Sequence, residues 1–236
     1  MIRHLRTVLA QRRGTMRGQS FVELALVLPV LLILLLGVVE VAVFIGRYLD
    51  LLDLTREAAR WASVRDPFQT HHVGSRSCSN PDYYDFYFLT ACTFSPPQGS
   101  NLCTDATFCN GMNFSLPLNP ATDDVVISVY TVSGNIVTNV WPSPNGYWSL
   151  YGNWQKDCQG NVVRTQPHFT RDVVQDLLSD FSTPNKGFVA VEVYYCYEQM
   201  LKIPIFTQFV PDPFQINAFT IMPLPAAQPT ATPGGP

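Results

Sequence analysis

The chain has 236 residues and a formal net charge of -3, with 47% hydrophobic but only 14% charged residues, against about 25% charged in an average soluble domain. That length admits one modest domain plus an appendage and excludes an elaborate multidomain enzyme. Fifteen Phe, ten Tyr and four Trp residues exclude a largely disordered chain. Beyond residue 18 no basic stripe exists to neutralise a phosphate backbone, so nucleic acid is excluded as a partner.

Charge is segregated along the chain. Residues 1–18 form a basic head with Arg3, Arg6, Arg12, Arg13, Arg17 and no acid, and the remainder is net acidic. The apolar run FVELALVLPVLLILLLGVVEVAVFI follows at residues 21–45, uncharged from Leu24 to Val39 between Glu23 and Glu40. At about 1.5 Å of rise per residue it is long enough to cross a hydrocarbon core of about 30 Å. Two alternatives fit less well. A buried core helix rarely runs apolar on every face for so long, and a removed secretory signal has a shorter run ending in a small-residue cleavage site. Basic flanks stay in the cytoplasm, which predicts a single-pass protein of a lipid bilayer, head inside and the rest exported. Arg47, Arg56, Arg60 and Arg65 are largely offset by Asp50, Asp53 and Glu57.

The helix is expected to continue past the membrane. Leu51, Leu54, Ala58, Trp61 and Ala62 recur at spacings of three and four with no proline between Pro29 and Pro67, predicting one helix from Ser20 to Arg65 of about 65–70 Å. Pro29 removes one internal hydrogen bond, which membrane helices tolerate. Glu23 is costly near lipid unless partnered or protonated. Cleavage after Gly18 would create an α-amino group at Gln19, four residues from Glu23 and on the same helix face. In an assembly the carboxylate could equally meet the amine of a neighbouring subunit, and a glutamate reaching lipid headgroups is the plain alternative. Glu40 reads as an outer-interface residue in preference to a helix–helix contact, and Gly37 and Gly46 do not make the four-apart pair of tight membrane dimers.

Together, RGQSFVELALVLPVLLILLLGVVEVAVFIGRY and LTREAARWA resemble the TadE-like family, pseudopilins and minor pilin-like proteins associated with tight-adherence (Tad) pilus machinery. The resemblance spans about residues 13–65 and rests on Gly18, Glu23, Pro29, Arg56, Glu57, Ala59 and Arg60. It implies a bacterial membrane protein whose leader is processed by a prepilin peptidase and whose partners are other pilin-like subunits and the pilus assembly machinery. Leu24 stands where the major pilin of such systems carries tyrosine.

The expected organisation is a cytoplasmic leader at 1–18, a transmembrane and juxtamembrane helix at 19–65, an extracytoplasmic domain at 66–222 and a proline-rich disordered tail at 223–236. All six cysteines, Cys78, Cys92, Cys103, Cys109, Cys158 and Cys196, lie in the exported part, which reads as up to three disulfides with fifteen possible connectivities. The first four sit in loop-like sequence that needs staples. Metal binding is the weaker reading, because no C-x-x-C occurs and His71-His72 fits no ligand spacing.

Segments 125–132 and 135–141 are β-branched strands separated by Ser133-Gly134, a predicted hairpin. A short helix is expected at 171–181, capped by Thr170, with Val173, Val174, Leu177, Leu178 and Phe181 inward and Asp172, Asp176 and Asp180 on its wet face. Strands are expected at 188–200 and 214–222. The fold class is therefore α+β, a long N-terminal helix packed with a small antiparallel sheet in a disulfide-containing domain. Asn113-Phe114-Ser115 matches a glycosylation pattern by chance. No phosphate loop, nucleophile elbow or H-E-x-x-H is present, and Asp123-Asp124 is an unconvincing acid pair, so neither enzyme activity nor a cofactor is expected. The leading function is a membrane-anchored structural component of a Tad-type pilus. The alternative is a signal-anchored surface module gripping glycan or protein through Trp141, Trp148, Trp154 and nearby tyrosines.

Overall fold

A computed structural model describes residues 16–179, 185–202, 207 and 210–228. The chain divides into two units, 1–45 and 46–236, and helix α1, Met16–Ser63, begins in the first and ends in the second. In the first unit every residue from Phe21 to Leu36 is exposed, and Pro29 lies inside the helix. The helix is long and apolar enough to cross a membrane.

In the second unit, α1 buries Leu51, Thr55, Ala58, Ala59 and Ala62, positions that recur with the helical period on one face. The sequence stripe placed Leu54 and Trp61 there, but both are only half-buried. Beyond Leu51 the buried face is made of the small residues Thr55, Ala58, Ala59 and Ala62, which lets the helix backbone lie close to the domain. Thr55 fits it by donating its hydroxyl to the Leu51 carbonyl at 2.7 Å.

Next come the paired strands β1 (Thr70–His72) and β2 (Tyr83–Asp85), then α2 (Phe86–Ala91) and a 3-10 turn at Cys92–Phe94. This region was expected to be loop. Asp85 makes the helix possible: its side chain accepts from Tyr87 N and Phe88 N at 3.0 and 3.1 Å, capping a segment that buries Phe86, Phe88 and Thr90. His71 and His72 are exposed strand residues, and His72 stacks on Tyr83 at 4.8 Å.

The main antiparallel sheet contains β3 (Asp124–Ser133), β4 (Ile136–Trp141), β5 (Trp148–Ser149), β6 (Lys186–Tyr197) and β7 (Phe214–Pro223). Its order is β4-β3-β6-β7, with β5 also pairing β3. The β3–β4 turn is Gly134-Asn135, with φ of 57° and 67°, one residue later than Ser133-Gly134. A two-residue hairpin turn of this kind takes positive φ at both central residues, which Gly and Asn adopt at low cost and Ser does not.

The central strands β3 and β6 bury both faces. Val125, Ile127 and Val129 pair with Val193, Val191 and Val189 on one face. On the other, Tyr130, Val132 and Ala190 pack with Phe169 and with Val174 and Leu178 of α3 (Arg171–Ser179). Thr170 caps α3 as expected, its Oγ1 accepting from Val173 N at 3.3 Å. Leu177, expected inward, is exposed; Phe181 and Asp180 lie outside the described residues. Gln175 fastens α3 to the hairpin by accepting from Val137 N at 2.8 Å and donating to the Asn135 carbonyl at 2.6 Å.

β6 ends at Tyr197, not residue 200, where the chain turns so that Gln199 N donates to Asp212 at 2.9 Å. β7 continues through Pro223 into a 3-10 turn at Pro225–Ala227. Leu224 and Ala227 are buried, so the start of the expected tail belongs to the fold, and residues 229–236 lie outside the described residues. Gly187 permits this closure, since a Cβ there would collide with the Leu224 carbonyl and Ala227. All six cysteines pair, as Cys78–Cys92, Cys103–Cys109 and Cys158–Cys196.

Candidate functional site

Gly18 and Gln19 lie in the N-terminal part of α1, and Glu23, one turn beyond Gln19, is exposed. Gly18 is thus helical, although the sequence predicts the helix only from Ser20. Glycine weakens a helix by about 0.5–1 kcal/mol relative to alanine, so this end unwinds more readily than the apolar run behind it. An exposed apolar helix of this length has no stable place in water and needs lipid or other helices around it.

Just beyond the apolar run, a polar latch ties α1 to the segment 113–116. Arg47 Nη1 donates to the Ser115 carbonyl at 2.6 Å, and Ser115 Oγ donates to Asp50 at 2.9 Å. Asn113, 1% exposed, shapes that segment. Its Oδ1 accepts from Ser115 N and Leu116 N, and its Nδ2 donates to the carbonyls of Phe94 and Leu116. A buried amide with these bonds cannot carry a glycan, which gives the physical reason to discard the glycosylation pattern. Further along, Arg56 pairs with Asp53 and Arg60 with Glu57, each at 3.2 Å on the exposed face. Such exposed pairs add little to stability, whereas Ala59 is fully buried. The motif residues therefore divide into one packing position and three on the outward face.

The acid pair Asp123-Asp124 is structural. Asp123 accepts from Asn119 N and Cys196 N at 2.8 and 2.9 Å. Asp124 accepts from Ser149 Oγ, Tyr151 N and Trp154 N at 2.6–3.0 Å. Sequence reasoning passed over Glu192, which is 1% exposed. It accepts from Phe169 N at 2.7 Å, His168 N at 2.9 Å and the Tyr194 hydroxyl at 2.5 Å, pinning the segment that leads into α3. Its only sequence signal was a charged residue in an otherwise apolar strand. Asp172 and Asp176 are exposed, as expected of a wet face.

Burial pushes the carboxyls of Glu192 and Asp123 above their ordinary values, against the hydrogen bonds that hold them down. The folded state therefore holds more protons than the unfolded chain between the ordinary and the raised values. Stability from these groups is fully present below the ordinary range and is lost as pH rises through the raised values. We expect a lower melting temperature at pH 7 than at pH 5, and a smaller difference in Glu192→Gln. That variant turns an amide NH2 toward a buried N–H donor and should cost about 1–3 kcal/mol, read by urea unfolding. Equal pH dependence in the two proteins would contradict this assignment.

Of the aromatic residues proposed as a platform, Trp154 is 3% exposed and packs in the core with Val126 and Tyr194. Trp148 is half-buried against the Phe88, Cys92 and Phe108 cluster. Trp141 is half-buried, with Phe68 edge-on at 5.5 Å. Among the described residues no group of three or more His, Cys, Asp or Glu side chains could hold a metal ion.

No curated protein and no solved structure matches the chain. Residues 18–60, about a fifth of the chain, which contain Gly18, Glu23, Pro29, Arg56, Glu57, Ala59 and Arg60, are similar to the family model described as TadE-like protein.

Proposed function

We propose that the protein is a membrane-anchored, pilin-like structural component that assists assembly or modification of a Tad-type pilus. The observation that carries this reading is the coincidence of the TadE-like match at 18–60 with an apolar helix exposed on every face. The head stays in the cytoplasm, the helix crosses the bacterial inner membrane, and the stapled domain is extracytoplasmic. A prepilin peptidase cuts after Gly18, and the new amine of Gln19 is neutralised by Glu23 of the same or a neighbouring subunit. The protein works by packing and contact, without a cofactor. Burial of Trp154 and the packing of Trp148 weigh against a surface module built on all three tryptophans.

In cells bearing the cognate machinery, Glu23→Gln should reach the membrane at normal abundance yet fail to restore filaments in a strain lacking the protein. Electron microscopy of surface filaments reads the outcome. Full restoration by Glu23→Gln would remove the carboxylate from the mechanism.

A further inference from the structure

One open cleft in the exported domain has no part in the pilin-like reading. Its volume is about 560 Å³, and it lies between the end of β4, the turn at 142–147 and the segment 165–172. This size falls within the range of clefts that hold small ligands. Trp141 and Tyr147 line it. Each ring is braced by a perpendicular neighbour, Trp141 by Phe68 at 5.5 Å and Tyr147 by Trp154 at 5.1 Å. Between them the wall carries the amides of Asn145 and Gln166 and one charge of each sign, Arg171 and Asp172.

The walls are fixed by the fold. Gly146 N donates to the Pro142 carbonyl at 2.7 Å, closing the turn that presents Asn145 and Tyr147. Arg171 Nη2 donates to the Thr138 carbonyl at 2.9 Å, joining the two sides of the cleft. The Glu192 carboxylate holds His168 N and Phe169 N, setting the backbone between Gln166 and Arg171.

We propose that this cleft binds a neutral oligosaccharide. Aromatic rings offer flat apolar surface to the C–H faces of a pyranose, while carboxamides both donate to and accept from hydroxyls at its rim. A balanced pair of charges favours a ligand without net charge, and a largely polar wall disfavours an apolar one. Of the three tryptophans, this assigns Trp141 alone to recognition and leaves Trp148 and Trp154 to packing. The proposal concerns the folded domain only, so it stands or falls independently of leader processing.

The test titrates the full chain, held in dodecylphosphocholine micelles to avoid sugar-based detergents, with cellopentaose and with penta-N-acetylchitopentaose, by calorimetry and tryptophan fluorescence. At least one pentasaccharide should bind saturably with Kd of about 1 mM or tighter. Trp141→Ala should weaken that binding about tenfold or more, and Trp148→Phe should leave it within about twofold. If Trp141→Ala does not fold, Asn145→Ala at its exposed turn position serves instead, with an expected loss of about fivefold or more. Absence of binding by both sugars up to about 10 mM, or binding unaltered in the folded variant, would overturn the proposal.

Discussion

Asp124→Ala is expected to destabilise the domain formed by residues 46–228 by about 3–5 kcal/mol, because four donors, the neighbouring Val125 N among them, lose their acceptor in a dry site. Asp124 begins β3 with no exposure to solvent. It gathers Ser149 Oγ, Tyr151 N and Trp154 N onto its two oxygens, and Gly152 N in turn donates to Ser149 Oγ at 2.8 Å. This one side chain thus folds residues 149–154 into a tight turn and delivers Trp154 to the core beside Val126 and Tyr194. Ser149→Ala removes one donor of the set and the acceptor of the exposed Gly152 N, and should cost only about 1–2 kcal/mol. Urea unfolding followed by tryptophan fluorescence reads both variants, and a cost below about 1 kcal/mol for Asp124→Ala would refute the role given to the carboxylate.

The second large effect concerns the disulfides, whose contributions should follow the loops they close. Cys158–Cys196 joins residues 38 apart in sequence and ties the turn at 157–161 to the central strand β6. Cys103–Cys109 joins residues only 6 apart. In the chain-entropy account the first is worth about 4 kcal/mol and the second about 2 kcal/mol. The double variant Cys158→Ala with Cys196→Ala should therefore lose roughly twice the stability of Cys103→Ala with Cys109→Ala, by the same urea measurement. The reverse order would show that strain or residual structure in the unfolded chain, and not loop closure, governs the staples.

Those elements whose physics is local could be read from the sequence. Periodicity located α1 and α3, β-branched runs located β3, β4, β6 and β7, and an even cysteine count beyond the apolar run announced the staples. Pairing and order escaped because they depend on contacts far apart in sequence: β3 lies beside β6 with residues 134–185 between them. The small helix α2 escaped because its aromatic residues have no helical signature beyond the cap at Asp85. The burial of Asn113, whose amide is spent on four backbone partners, had no signal in the sequence. Glu192 gave only the hint of a charge in an apolar strand, and the backbone donors it holds come from residues 168 and 169. Of the candidate site, Glu23 and Pro29 could be placed on one continuous helix from the sequence, whereas the helical state of Gly18 could not. The division of Arg56, Glu57, Ala59 and Arg60 into outward and buried positions needed the fold.

Removal of the basic head at Gly18 is the step on which the proposed pilin-like role depends. The most direct measurement is the N-terminal sequence of the protein extracted from membranes of cells that carry the matching peptidase. A chain beginning at Gln19 is the predicted result, with its α-amino group one helical turn from Glu23. A chain that keeps the basic head intact would contradict it.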